Sequence, residues 1–223
     1  MEQYKKDFID FMVESQVLTF GDFTTKSGRK TPFFVNTGNY DTGKKIAKLG
    51  EFYAETIKDR YGLDFDLVYG PAYKGIPLAV TISSAIYTMF DKNIGFTFNR
   101  KEAKDHGEGG SFVGYKLADQ QKVIIVEDVI TAGTAMRENL PILKDAADLS
   151  IEAIIVSVDR MEKGTGELSA IQEIEKDYQI PVHPIVSIDE VVDYLYNREV
   201  NGTVIIDDET LARIKAYRAQ YGI

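Results

Sequence analysis

The 223-residue sequence contains no cysteine. This excludes disulfides, thiolate nucleophiles and cysteine-based zinc sites, and it is compatible with a cytoplasmic location. Positive charge is also scarce, because 26 Lys and Arg stand against 35 Asp and Glu, for a formal net charge of −9 and a pI near 4.9. Nucleic-acid and anionic-membrane surfaces both need a basic face, so the charge argues against these partners. A small anionic substrate held by a local cluster of Lys and Arg stays compatible with it.

Long apolar runs are missing too. The longest mostly apolar stretch, residues 76–90, is too short and too rich in hydroxyls to span a bilayer. Residues 1–16 alternate charged and apolar side chains without the apolar run of a signal peptide. With 44% hydrophobic and 27% charged residues, the composition is that of a globular protein. We expect one soluble, cytoplasmic domain spanning residues 1–223.

The pattern that is present is an alternation of strands and helices. An amphipathic helix opens the chain, and two β-like runs joined by the polar turn KSGRK then predict a hairpin. Strands are predicted at 66–70, 94–99, 122–127, 151–159 and in VHPIVS, and helices at 42–61, 76–90, 134–147, 167–178, 188–197 and 207–220. Continuous Val/Ile runs indicate strands buried on both faces. The expected fold is α/β: a doubly wound, mainly parallel sheet flanked by helices (about 41–223), with a small N-terminal helix and hairpin subdomain (about 1–40).

The stretch KVIIVEDVITAGTA, residues 122–135, is the most informative. A buried strand ends on two adjacent acids, Glu127 and Asp128, and runs through a Thr/Gly loop into a predicted helix. The helix N-terminus favours a phosphate, whereas the acids suit sugar hydroxyls or a magnesium ion, directly or through water. A ribose phosphate would provide the phosphate for the helix N-terminus and the hydroxyls for the two acids. The alternative is an ordinary strand-to-helix turn with a capping threonine and two solvated acids.

Cations follow two other predicted strands. In GPAYKGIPLA, residues 70–79, glycines and a proline set a tight turn that presents Lys74 to a second phosphate. Arg160, after the strand at 151–159, is placed to fork onto a planar carboxylate. Ligands of open parallel sheets bind at this carboxyl edge. A plain turn with an exposed lysine and a surface arginine are the alternatives.

The segment NRKEAKDHGEGGSF, residues 99–112, combines a run of cations with three glycines. A mobile basic flap of this composition would close over a polyphosphate, offset its departing charge and exclude water. A solvated charged loop is the alternative.

Together these stretches resemble a known family. VIIVEDVITAGTA is similar to the signature of type I phosphoribosyltransferases, and KSGRKTPFFVN, GPAYKGIPLA, FNRKEAKDHGEGG and VSVDRMEKG resemble the orotate-specific family within that class, in the same order over nearly the whole chain. The resemblance implies transfer of a phosphoribosyl group from 5-phospho-α-D-ribose 1-diphosphate to orotate. It also implies Mg²⁺ bound mainly through the substrate, and a homodimer in which the flap 100–111 reaches the neighbouring subunit's site.

The resemblance further implies residue roles. For the diphosphate substrate these are Lys26, Tyr73, Lys74, Arg100, Lys101, Lys104, His106, Glu127, Asp128, Val129, Ile130, Thr131, Ala132, Gly133, Thr134 and Ala135. The catalytic ones would be Lys104, His106 and Asp128. For orotate they are Phe34, Val35, Thr131 and Arg160. Two positions depart from the family pattern: Glu127 stands where aspartate is frequent, and Val35 where some members have an aromatic residue.

Two other functions stay open at this stage. One is a phosphoribosyltransferase for another nucleobase, although such an enzyme has no reason for an arginine at position 160. The other is a non-catalytic, ligand-sensing regulator on the same fold, against which the acidic charge argues.

Overall fold

The central sheet has six strands in the order β5-β4-β3-β6-β7-β8. Their bounds are Leu67–Tyr69 for β3, Gly95–Lys104 for β4, Gly110–Gly114 for β5, Lys122–Glu127 for β6, Ser150–Asp159 for β7 and Val182–Ser187 for β8. All neighbouring pairs are parallel except β4 and β5, which are antiparallel at one edge. The computed structural model describes residues 1–25, 28–104, 110–164 and 166–223, and of residues 102–104 and 110 the backbone alone.

The helices cover both faces of this sheet. Their bounds are Gln3–Glu14 for α1, Gly43–Tyr61 for α2, Gly75–Phe90 for α3, Thr134–Ala146 for α4, Ala170–Tyr178 for α5, Ile188–Leu195 for α6 and Asp208–Tyr221 for α7. In β6, Ile124 and Val126 join a hydrophobic cluster with α1, α2 and α3, whereas Val123 and Ile125 join a second cluster with α4 and α5. Alternate side chains of one strand therefore feed two cores, which explains the unbroken apolar runs. The predicted doubly wound, mainly parallel fold is confirmed.

The N-terminal hairpin lies against the end of the chain. Strands β1 (Leu18–Thr24) and β2 (Lys30–Val35) pair antiparallel, and Phe33 of β2 meets Tyr217 of α7 edge to face at 5.9 Å. A 3₁₀ turn, Thr37–Asn39, then leads from the hairpin into α2. A second small hairpin, β9 (Glu199–Val200) with β10 (Thr203–Val204), precedes α7.

Most predicted elements match the observed ones to within a few residues, and the differences have local causes. The strand predicted at 94–99 is longer than expected: residues 100–111 have no strand-type periodicity, but β4 continues to Lys104 and β5 begins at Gly110. Pairing across an antiparallel hairpin satisfies the backbone whatever the side-chain pattern. Helix α5 begins at Ala170 rather than at 167 because Ser169 and Gln172 form a capping box. The hairpin β9–β10 was not predicted, although its turn residues, Asn201 and Gly202, both have positive φ and form a pair typical of two-residue hairpin turns.

Over the described ranges, each helix is too short or too polar to cross a membrane.

Candidate active site

A cavity of ≈ 250 Å³ opens at the carboxyl edge of the sheet. It is lined by residues 71–74, after β3, and by residues 127–136, after β6. Because β3 and β6 are adjacent and parallel, both loops leave the sheet at the same edge and face each other. The two stretches singled out in the sequence therefore form one site.

The acid pair at this site is fixed through its backbone. Glu127 and Asp128 are 7% and 9% exposed. The hydroxyl of Tyr53, on α2, donates to the Glu127 carbonyl at 2.7 Å. The backbone N–H and the hydroxyl of Ser157, on β7, donate to the Asp128 carbonyl at 2.9 and 2.5 Å. Neighbouring elements thus hold the strand end from both sides.

The carboxylate of Asp128 accepts hydrogen bonds from three donors. Its Oδ1 accepts from the Val129 N–H at 2.8 Å. Its Oδ2 accepts from Lys74 Nζ at 2.6 Å and from Thr37 Oγ1 at 2.5 Å, and Lys74 Nζ also donates to Thr37 Oγ1 at 3.0 Å. Lys74, Thr37 and Asp128 thus form a closed triangle that ties the 3₁₀ turn after the hairpin to both cavity loops.

The side chain of Glu127 lies in a different environment from that of Asp128. Its Oε1 accepts only weakly, from the Asp128 N–H at 3.2 Å. Burial, with the adjacent Asp128 carboxylate as the second cause, raises the pKa of Glu127 to about 8. Burial and the adjacent carboxylate therefore favour the protonated form of Glu127.

The loop after β3 depends on two glycines. A Cβ atom on Gly70 would lie 1.9 Å from the carbonyl oxygen of Gly75, so the two ends of the turn touch backbone to backbone. The buried Asn99 of β4 accepts from the Ala72 N–H at 2.8 Å through Oδ1 and fixes the loop from the side. The Ala72–Tyr73 peptide bond is cis. The side chain of Tyr73 is 69% exposed, and Lys101 Nζ lies 5.0 Å from its ring centre.

The loop after β6 ends at the N-terminus of α4. Gly133 adopts a left-handed conformation, with φ of 70°, and caps the helix that begins at Thr134. The N–H groups of the first helical turn have no intrahelical acceptors, and they face the cavity together with the exposed Thr131. This arrangement favours a bound anion.

Arg160 lies at the end of β7, in a group that we call the Arg160 cluster: Arg29, Phe33, Arg160, Glu162 and Tyr221. The Nε and Nη2 atoms of Arg160 donate to Glu162 Oε1 at 3.1 and 2.7 Å. Arg29 Nη1 donates to Glu162 Oε2 at 3.4 Å. The guanidinium of Arg160 lies 4.9 Å from the ring centre of Phe33, and that of Arg29 4.4 Å from the ring centre of Tyr221.

The structure brings many of the predicted site residues together. Tyr73, Lys74 and all residues from Glu127 to Ala135 line the cavity. Phe34, Val35 and Arg160 are outside its lining: Phe34 stacks on Phe23 at 5.6 Å, and Val35 packs against the hydrophobic core. The Nε atom of Arg100 is buried without a hydrogen-bond partner among the described residues. Lys26 and His106 lie outside the described residues, as does the side chain of Lys104.

Several site residues escaped the sequence analysis. Thr37, Tyr53, Asn99, Ser157 and Glu162 hold functional groups in place, but they come from elements distant in sequence. Glu162 and Ser157 lie within the quoted stretch VSVDRMEKG, and Asn99 lies within FNRKEAKDHGEGG, so their position in a quoted stretch was an available signal. Thr37 and Tyr53 had none.

Comparison with known proteins agrees with this geometry. The family model of the phosphoribosyl transferase domain matches residues 36–182, a range that includes both cavity loops and the Arg160 position. The fold and the phosphate-type cradle thus define a phosphoribosyltransferase.

Full-length relatives narrow the class. The orotate phosphoribosyltransferase of Clostridium beijerinckii is 57% identical over 222 residues, covering 100% of this chain and 99% of that protein. That of Vibrio cholerae is 50% identical over 224 residues, covering both chains completely. The crystal structure of the Francisella tularensis orotate phosphoribosyltransferase matches with a TM-score of 0.84 at 36% identity, over 97% of this chain and 100% of that one. The chain belongs to the orotate phosphoribosyltransferase family.

Proposed function

We propose that this protein transfers the 5-phosphoribosyl group from 5-phospho-α-D-ribose 1-diphosphate to orotate, giving orotidine 5′-monophosphate and pyrophosphate in pyrimidine synthesis. The observation that carries the proposal is a single cavity in which a buried acid pair faces a helix N-terminus. The names of full-length relatives support orotate as the base.

The ribose phosphate would bind along the loop after β6. The first-turn N–H groups of α4, with the hydroxyls of Thr131 and Thr134, would donate to the 5-phosphate. Glu127 and Asp128 would face the ribose hydroxyls, which donate to carboxylate oxygens. Val129, Ile130, Ala132, Gly133 and Ala135 would bring backbone close to the ligand.

The diphosphate would bind at the loop after β3. Lys74 now donates to Asp128, and it would exchange this partner for a phosphate oxygen when substrate enters. Arg100 and Lys101 follow on β4, and by family resemblance Lys26, Lys104 and His106 complete the set. Substitution at the anomeric carbon passes through an oxocarbenium-like state. The main task of these cations is therefore to stabilise the departing pyrophosphate.

We propose Mg²⁺ as the cofactor, bound mainly through the substrate. Among the described residues, no group of three or more acidic or histidine side chains could hold a metal ion by itself. An ion bound in this way would take most of its oxygen ligands from diphosphate and water. Glu127 and Asp128 are the carboxylates that would hold it, directly or through water. When bound, the ion would offset negative charge on the leaving group.

The base would bind between the acid pair and the Arg160 cluster. Ser157 contacts the Asp128 carbonyl, and Arg160 follows it by three positions, a rise of about 10 Å along an extended strand. That distance suits a ribose with its base. Arg160 would bind the orotate carboxylate, with Thr131 and the backbone of Phe34 and Val35 contacting the ring.

We also propose a homodimer in which the flap 100–111 is shared between subunits. A cytoplasmic location remains a prediction.

The test is the ultraviolet absorbance of orotate, followed with purified protein, magnesium and the phosphoribosyl diphosphate. Loss of the orotate band that requires all three components is the expected result. Pyrophosphate release with uracil, adenine or hypoxanthine, but not with orotate, would mean another base. Absence of turnover with every base, together with a gel shift of RNA or DNA, would favour the alternative of a non-catalytic, ligand-sensing regulator.

A further inference from the structure

Glu162 occupies one edge of the guanidinium proposed to bind the base. Its Oε1 accepts from both Nε and Nη2 of Arg160, and the two side chains are each only 16% exposed. A guanidinium has a second edge, formed by Nη1 and the outer hydrogen of Nη2. Among the described residues, the hydrogen bonds of Arg160 use Nε and Nη2, so this second edge stays available for a ligand.

The backbone of Glu162 is fixed from outside the cluster. Glu162 forms a β-bridge with Gly222. On either side of it, the Lys163 N–H donates to the Tyr221 carbonyl at 2.8 Å, and the Ile223 N–H donates to the Met161 carbonyl at 3.1 Å. The Glu162 carboxylate therefore has a rigid support, and through it the guanidinium of Arg160 is held over the ring of Phe33.

The charges of the cluster match one further anion. Arg29 and Arg160 share the single carboxylate of Glu162, which leaves one positive charge in excess. The stacking of Arg29 on Tyr221 keeps that arginine on the far oxygen of Glu162. A base with one carboxylate would neutralise the cluster, whereas a base without a carboxylate would leave the charge unpaired.

We infer that Glu162 is a positioning residue for base recognition, which holds the Nε/Nη2 edge of Arg160 so that the opposite edge faces the carboxylate of the base. The inference rests on the proposed function. The role of Glu162 differs from that of Arg160, because Glu162 acts on the substrate only through the guanidinium.

The test compares the steady-state kinetics of Glu162→Ala and Glu162→Gln. In Glu162→Ala the guanidinium loses its support, and the KM for orotate should rise about tenfold, equivalent to about 1.4 kcal/mol. The KM for the phosphoribosyl diphosphate should stay within twofold. Glu162→Gln keeps an oxygen that accepts from Arg160, and it should restore the orotate KM to within about threefold of wild type. Uracil, as a competitive inhibitor without a carboxylate, should keep its Ki in both variants.

The matched control is Glu167→Ala, which removes an exposed glutamate paired with Lys163 nearby in sequence and should leave both KM values unchanged. An orotate KM within twofold of wild type in Glu162→Ala would overturn the inference, as would an equal rise in both KM values. Arg160→Ala distinguishes a failure of this inference from a failure of the proposed function. Orotate turnover that responds to Arg160→Ala but not to Glu162→Ala overturns this inference alone, whereas absence of orotate turnover in the wild type overturns the proposed function as well.

Discussion

The two ends of the proposed site are built in opposite ways. The acid-pair loop, residues 127–135, is contiguous and presents mostly backbone groups, with two buried carboxylates facing one lysine. The Arg160 cluster joins side chains from β2, the end of β7 and α7, with two arginines sharing one glutamate. The first end therefore depends on local backbone conformation, and the second on the docking of distant segments.

The largest effect should come from disturbing the backbone opposite the acid-pair loop. In Gly70→Ala the new Cβ would overlap the carbonyl oxygen of Gly75, 1.9 Å away, so the loop that carries Lys74 has to shift. A displacement of about 1 Å in a positioning loop can lower a rate about 10²-fold, and we expect kcat/KM to fall by about that factor. Steady-state kinetics with both substrates measures it.

Gly43→Ala is the control for the glycine substitution. It adds the same methyl group at the start of α2, where nothing lies within 4 Å of the new atom, and activity should be unchanged. A Gly70→Ala enzyme with more than a fifth of wild-type kcat/KM would show that the turn after β3 tolerates movement and that the placement of Lys74 opposite the acid-pair loop does not depend on a rigid backbone.

At the Arg160 cluster the informative substitution keeps the positive charge and replaces the planar guanidinium. Arg160→Lys keeps one positive charge but loses the planar fork held by Glu162 and stacked on Phe33. We expect the KM for orotate to rise about tenfold or more, with the KM for the diphosphate substrate unchanged. Arg198→Lys is the control, because it removes another arginine fork, paired with Asp10, outside the site. A selective rise in the diphosphate KM would contradict the assignment of Arg160 to the base.

The same contrast explains how far the sequence could be interpreted. The strands, the helices and the loop from Glu127 to Ala135 were predictable because apolar runs and glycine spacing encode local conformation. The triangle of Thr37, Lys74 and Asp128 was not, since it joins three segments that meet only after folding. Likewise, Arg160 could be placed at the sheet edge, but its partners on β2 and α7 depend on tertiary packing. The strand extensions around residues 100–111 were missed because cross-strand pairing, rather than side-chain periodicity, produces them.

A smaller effect is expected where the 3₁₀ turn after the hairpin contacts Asp128. Thr37→Val preserves side-chain shape but removes the hydroxyl that donates to this buried carboxylate at 2.5 Å. Lys74 and the Val129 N–H still donate to Asp128, so we expect a loss of about 1–2 kcal/mol in the free energy of unfolding. Chemical denaturation measures this change.

Thr88→Val controls for loss of a hydroxyl, since the hydrogen bonds of that side chain to described residues go to carbonyls of its own helix. Combining Thr37→Val with Asp128→Asn tests the coupling. Because the interaction is with the carboxylate, the effect of Thr37→Val should shrink in the Asp128→Asn background, and an undiminished effect would assign the stabilisation to another contact of Thr37.

The last prediction concerns pH and distinguishes the two acids. Burial first, and Asp128 second, raises the pKa of Glu127 to about 8 from its ordinary 4.5, so the folded protein retains a proton that the unfolded chain releases. Between these values the stability of the wild type should fall as the pH rises, and the full loss is reached above the folded pKa. Glu127→Gln removes this titration, so its Tm relative to wild type should increase from pH 5 to pH 8.5.

A difference of about 1 kcal/mol in the free energy of unfolding corresponds to a Tm difference of about 2–4 °C in a chain of this length. The exposed Glu138, changed to Gln, is the matched control for the substitution itself. A Tm difference that is constant over this range would mean that Glu127 is ionised throughout, and the acid-pair loop would then carry two negative charges where the Arg160 cluster carries one positive charge in excess.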